Sequence, residues 1–242
     1  RSIYAESQYF ASRAVAEALA DRLSRPDPPE VVLINPLNAD GWLEQAAMDG
    51  ARVRLLHAVE EKDPANRLRV FCPFTTGGTP IYVHAKVMIV DDEVLRIGSA
   101  NLNNRSMGLD TEADLFIDAT RPANDRAEVR AAIRRLRHRL LAEHCGIEPA
   151  KVAELLEQHG TMAAMIESLP RKGKHLEPFR LRPLTEREKA VADTALLDPE
   201  RPGELFEPMS RRRGLFRRGS EAEIWTERHT DAEPWLEQPH AG

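Results

Sequence analysis

The stretch IYVHAKVMIVDDEVLRIGSAN, residues 81–101, decides how this chain is read. Two apolar runs, Ile81–Val90 and Val94–Ile97, flank the polar triplet Asp91-Asp92-Glu93, a pattern that predicts two strands joined by a hairpin turn. Overlaid on it is the pattern H-x-K-x4-D-x6-G-S-x-N, formed by His84, Lys86, Asp91, Gly98, Ser99 and Asn101. Six specified residues at fixed spacing arise by chance in such a chain with a probability on the order of 10⁻⁵. Alternate residues of a strand face the same side. Tyr82, His84 and Lys86 therefore share one face, and Val83, Ala85, Val87 and Ile89 share the other and point to a core.

These residue types suit phosphodiester chemistry. A phosphodiester is anionic and repels anionic nucleophiles. An ammonium at Lys86 offsets that charge and stabilises the further charge that develops in the transition state. Neutral imidazole attacks phosphorus and forms a covalent intermediate, and a second, protonated imidazole supplies the leaving alkoxide with a proton. Histidine does both near neutral pH because its unperturbed pKa is about 6.5. Asp91 falls in the turn with parity opposite to His84, which assigns it to bracing the turn or a nearby cation. Ser99 and Asn101 follow the second strand and offer hydroxyl, amide and backbone donors to a phosphate, with a helix or turn opening over Asn101–Met107. The reaction calls for no cofactor and no metal, and no HExxH or clustered carboxylate–histidine spacing is present. It does call for two histidines, and the pattern supplies one. His57, His138, His144 and His175 lie in no comparable context, and His138 and His144 read as solvated positions on an arginine-rich helix.

Outward from this stretch, strands are predicted over Ile3–Phe10, Val31–Ile34, Leu68–Phe74 and from Leu115 to Ile117. Helices are predicted over Ser12–Leu23, from Gly41 to Met48 or beyond, and from Asn124 to Cys145. In the last, Val129, Ile133, Leu136 and Leu140 form the apolar stripe, with the arginines at 126, 130, 134, 135, 137 and 139 largely off it and Gly146 as the stop. Strands alternating with helices argue for an α/β sheet covered by helices. The chain divides into a catalytic lobe over 1–145, a helical extension over 146–205 with short helices at Pro149–Gln158 and Thr185–Leu197, and a flexible tail over 206–242 rich in proline, glycine and charge.

The 242 residues carry 42% hydrophobic and 30% charged residues with a net charge of −5, which suits a globular fold and disfavours a nucleic-acid partner. No run approaches the ~18 apolar residues of a membrane span. The expected location is cytoplasmic or peripheral to a membrane, with secretion left open because the chain starts at Arg1 and reads as a fragment or processed product. Cys72 and Cys145 form no C-x-x-C pair and read as buried thiols. The basic run Arg211–Arg218 invites anionic lipid, but its acidic neighbours Glu204, Glu207, Glu221 and Glu223 favour a solvated tail.

Residues Ile81–Ile117 strongly resemble the second histidine–lysine–aspartate motif of bacterial phospholipase D proteins, and the continuation NLNNRSMGLDTE, residues 101–112, is similar to that family as well. So is the opening Ile3–Phe10, IYAESQYF, where the family pattern has Asn in place of Ser7. The resemblance implies a phospholipase D-like lobe with a mixed sheet flanked by helices, paired with a second such lobe that brings its own motif. It implies that His84 is one of two catalytic histidines, general acid and then base by its position, or either partner's nucleophile if two identical copies pair, and that Glu112 orients a histidine. The implied substrate is a phospholipid, hydrolysed or transferred to another alcohol, and the second lobe is a missing N-terminal half or a homodimer partner. A homodimeric single-motif nuclease and an inactive scaffold lobe are the alternatives.

Overall fold

The computed structural model describes residues 1–38 and 42–181, with the backbone alone over 42–47. The helix expected over Thr185–Leu197 and the tail over 206–242 lie outside the described residues.

The described chain builds a mixed α/β sheet of seven strands in the order β6-β5-β4-β1-β2-β3-β7. β1 (Ser2–Glu6), β2 (Glu30–Ile34) and β3 (Leu68–Phe74) run parallel, joined by crossover helices α1 (Arg13–Ser24) and α2 (Trp42–Glu60). β4 (Val87–Val90), β5 (Val94–Gly98) and β6 (Asp114–Asp118) then add antiparallel strands on one side, and β7 (His175–Pro178) closes the other side against β3. α3 (Asn104–Gly108) is a single short turn. α4 (Ala127–Cys145), α5 (Pro149–His159) and α6 (Met162–Ser168) cover one face. Residues 149–178, expected as a helical extension, thus supply two helices and an edge strand of the same sheet.

Period-two alternation sorts the side chains into two cores. Tyr4, Val32, Ile34 and Phe71 point to the α4–α6 side and pack with Ile133, Leu141, Val152 and Met165. Ala5, Val31 and Leu33 point to the opposite side and pack with Ala16 and Leu23 of α1 and with Leu56 and Val59 of α2. β2 is buried along its whole length, as a parallel strand covered on both faces should be. Each fully buried side chain of this size contributes roughly 1.5–3 kcal/mol.

Local chemistry sets the ends of the elements. Ser12 caps α1, with the Val15 N–H donating to its hydroxyl at 3.4 Å. Gly146 ends α4 in the left-handed region at φ 65°, where a Cβ would also stand 2.8 Å from the Lys174 carbonyl oxygen. The buried Glu30 carboxylate, at the start of β2, accepts from the Met162 and Ala163 N–H groups at 2.9 and 2.7 Å and fastens α6 to the sheet.

The structure departs from the sequence pattern at three further places. Only Val87–Val90 of the predicted 81–90 strand pairs in the sheet, and 81–86 is extended chain held by two backbone bonds, Ile81 N–H to Pro73 and Gly98 N–H to Lys86. Arg137 is not on the solvent side of its helix. It is buried, because Asp92 meets it as a carboxylate partner at 2.7 and 2.8 Å. His144 is not solvated either, for its Nε2 lies 3.3 Å from the buried Glu6 carboxylate, which also accepts from the Tyr4 hydroxyl at 2.6 Å. Burial, reinforced by Glu6, holds the Tyr4 hydroxyl well above the ordinary tyrosine value.

Candidate active site

The site lies where the chain leaves the sheet at three places: the end of β1, the approach to β4 and the end of β5. The alternation predicted over 82–89 holds although 81–86 has no ladder. Val83 is buried and Ala85 and Val87 pack against the same core, while Tyr82 and His84 are exposed. Lys86 lies on the His84 side by parity, but its side chain folds back rather than reaching into solvent. Its ammonium donates to the His84 carbonyl at 2.8 Å and to Gln8 Oε1 at 3.3 Å. Burial pushes the Lys86 ammonium below the ordinary lysine value, and the Glu112 carboxylate pulls it partly back. The His84 ring hydrogen-bonds no other described residue and stands open to a ligand.

The hairpin turn holds this segment in place. Asp91 and Asp92 both have left-handed φ, 54° and 55°, which aspartate tolerates, in the three-residue connection between Val90 and its partner Val94, and Glu93 N–H donates to the Val90 carbonyl at 2.9 Å. Asp91 does not approach His84 or Lys86. Its carboxylate accepts from the Ser2 N–H at 2.6 Å and its own N–H donates back to the Ser2 carbonyl, so it ties the turn to β1. Asp92 takes the neighbouring cations. Burial works to raise its carboxyl, but the hydrogen bonds and charges of Arg137 and Arg134 outweigh that and hold it below the usual carboxylate range.

After β5, Gly98 admits no side chain: a Cβ there would stand 1.7 Å from Asp114 Oδ1 and 2.6 Å from the Ala113 carbonyl oxygen. The close approach lets the Ser99 hydroxyl donate to Glu112 at 2.5 Å and accept from the Ala113 N–H at 2.9 Å. Glu112 therefore engages Ser99, not His84, within the described residues. Arg96 braces the same bend, donating to the Ala100 carbonyl at 2.6 Å and to Asp114 at 2.9 Å. Asn101 donates to Gln8 Oε1 at 3.4 Å, and its own Oδ1 is buried with no donor among the described residues. Ser7, where the family pattern has Asn, accepts from the Leu102 N–H at 3.1 Å and so joins the end of β1 to this loop.

His84, Lys86, Ser99, Asn101 and Glu112 thus gather at one end of the sheet, and Asp91 sits at the far end of the hairpin. Sequence reasoning missed Gln8, which contacts both Lys86 and Asn101. Its signal was position: two residues past a strand end, inside a stretch already noted for its resemblance. Among the described residues no second histidine hydrogen-bonds to Lys86, Ser99 or Asn101.

The histidine–lysine–aspartate pattern thus falls on an α/β lobe with an open imidazole and a half-sheltered ammonium at one end of its sheet. The sequence profile of the Phospholipase D family matches residues 56–191, more than half of the chain, and the chain belongs to that family. Phospholipase D alpha 1 of Spuriopimpinella brachycarpa is 45% identical over 69 residues, which are 28% of this chain and 8% of that protein. Phospholipase D alpha 1 of Nicotiana tabacum is 33% identical over 115 residues, 36% of this chain and 14% of that protein. The chain thus spans a small part of the length of these curated relatives. Among solved structures, phosphatidylserine synthase of Haemophilus influenzae is similar at TM-score 0.41 and 16% identity, covering 87% of this chain and 40% of that one. The phospholipase D family member Nuc of Salmonella typhimurium is similar at TM-score 0.36 and 19% identity, covering 48% and 66%.

Proposed function

We propose that the chain supplies one half of a site that cleaves or exchanges phosphodiester bonds of phospholipids through a phosphohistidine intermediate. The observation that carries this reading is the open His84 imidazole two residues from the sheltered Lys86 ammonium. One imidazole nitrogen attacks phosphorus, the bond from phosphorus to the headgroup oxygen breaks, and the leaving alkoxide takes a proton from a second imidazolium. Water, deprotonated by that same second ring, then attacks phosphorus and frees the histidine; an alcohol in place of water gives transfer. On this reading Lys86 neutralises the nonbridging oxygens and Asn101 donates to them, with Ser99, whose hydroxyl otherwise donates to Glu112, as the other candidate. By motif position His84 is the acid and then the base, and the nucleophile comes from a second lobe of the same kind. Asp91 and Glu112 act through others: Asp91 by holding the hairpin on β1, Glu112 through Ser99 and the charge it places near Lys86.

The phospholipid assignment is supported by the names of the curated relatives and by the net charge of −5, which disfavours a polyanionic strand. Among the described residues no helix is long and apolar enough to cross a membrane. The test compares headgroup release from phosphatidylcholine vesicles with turnover of bis-p-nitrophenyl phosphate and of single-stranded DNA, using the full-length protein that carries this chain. Headgroup release abolished by His84→Ala is expected. Release unchanged in that variant refutes the catalytic reading, and turnover of DNA alone refutes the lipid one.

A further inference from the structure

Gln8 is outside the motif, yet all of its side-chain hydrogen-bonding capacity is used at the site. Its Oε1 receives the Lys86 ammonium at 3.3 Å and the Asn101 amide at 3.4 Å, and its Nε2 donates to the Tyr82 and Tyr9 hydroxyls at 2.8 and 2.7 Å. The orientation of this amide is forced. An ammonium has only donors, so the atom facing Lys86 must be the oxygen. Asn101, facing the same oxygen, must then present its NH₂ group, which leaves Oδ1 buried and open to a donor. One side chain thereby fixes both the place of the Lys86 ammonium and the way round of the Asn101 amide.

The backbone beneath Gln8 is clamped as firmly. The Ser7 N–H donates to the Ile34 carbonyl at 3.2 Å, the Ser7 carbonyl accepts from the buried Asn35 amide at 2.6 Å, and the Ser7 hydroxyl accepts from the Leu102 N–H. Lysine alone is a flexible point charge on a four-carbon stem. Here it is held between the His84 carbonyl and a rigidly mounted amide.

We propose that Gln8 is a positioning residue for the reaction, setting the spacing of the Lys86 ammonium and the Asn101 amide that receive the phosphate oxygens. This rests on the reading of the site as a phosphodiester site. The titratable groups around Lys86 are Glu112 across the bend, His84 two residues before it, and Tyr9 and Tyr82 behind Gln8. Because burial already works against the Lys86 charge, removing the Gln8 acceptor lowers its titration midpoint, and replacing it by a carboxylate raises it.

The experiment uses the full-length protein, Gln8→Met and Gln8→Glu, with two readouts: the Lys86 side-chain titration followed by NMR, and turnover of bis-p-nitrophenyl phosphate against pH. For Gln8→Met the expected result is a kcat lower by about 10- to 100-fold with KM within about threefold. The Lys86 midpoint and the alkaline limb of kcat both move to lower pH. Gln8→Glu moves both to higher pH. A loss of kcat in Gln8→Met with the Lys86 midpoint unmoved overturns the proposal and leaves Gln8 a structural residue, as does a kcat within twofold of wild type. If Gln8→Met does not fold, an unmoved midpoint in Gln8→Glu overturns it equally. If the wild-type protein turns over no phosphodiester, the site reading fails, while the Lys86 titration still decides whether Gln8 governs that ammonium.

Discussion

Replacing Asp92 by Asn isolates the charge that locks the hairpin to α4. Both Asp92 and Arg137 are 8% exposed, and the guanidinium grips the carboxylate in a fork at 2.7 and 2.8 Å. Arg134 adds a third contact at 3.2 Å, but its side chain is 57% exposed and contributes under about 1 kcal/mol. Asparagine keeps the left-handed φ of 55° and one acceptor, so the turn survives and only the ionic part is lost. A hydrogen bond to a charged group is worth about 1.5–3 kcal/mol, and removing one partner of a buried pair costs about 3–5 kcal/mol. The expected loss for Asp92→Asn at pH 7 is therefore about 2–4 kcal/mol, read as the shift in urea midpoint followed by circular dichroism. The pH dependence carries a second, independent sign. The folded-state value of Asp92 lies below its unfolded one, so its contribution is present above the unfolded value of about 3.9 and is lost as pH falls through the folded value. The gap between wild type and Asp92→Asn must then close on acidification. A gap under about 0.5 kcal/mol at pH 7, or one that stays constant down to about pH 2, refutes the argument.

Two further outcomes follow from the bend beside the site. Gly98→Ala drives a methyl into Asp114 Oδ1 and the Ala113 carbonyl, so β5 and β6 must part; the expected cost is about 1–3 kcal/mol or more, and a melting temperature within about 1 °C of wild type refutes it. Glu112→Gln removes the charge that supports the Lys86 ammonium. On the proposed reading Lys86 acts protonated, so the alkaline limb of bis-p-nitrophenyl phosphate turnover moves to lower pH, and an unmoved limb counts against the link.

Periodicity made the sheet legible, and motif spacing made the site legible. The alternation placed Val83, Ala85, Val87 and Ile89 on the core side even where no ladder forms, because parity depends on extended backbone and not on pairing; Lys86, of the opposite parity, is buried all the same. The hairpin was legible from Asp91-Asp92-Glu93, since aspartate tolerates left-handed φ. What escaped was whatever depends on a partner distant in sequence. Arg137 sits four residues after Ile133 and four before Leu141, both buried, and that spacing placed it on the inner stripe; its charge hid this until Asp92 supplied the counter-ion. His144 was hidden in the same way by Glu6. β7, with the sequence HLEP, carries one buried apolar residue and no alternation to read, and becomes a strand because the β3 edge offers it a ladder. Gln8 gained meaning only when the fold brought Lys86 and Asn101 to it.

The bonds that join Gln8 to Lys86, Gln8 to Asn101 and Ser7 to Leu102 close loops of 78, 93 and 95 residues. Closures of that length lie far from the local contacts that form fastest, so these groups are expected to meet only once β1 pairs with β4. Recovery of turnover during refolding should accordingly lag the return of helical signal. A protease cut anywhere between β1 and β4 removes the covalent tether that brings these groups together, even where both pieces keep their secondary structure.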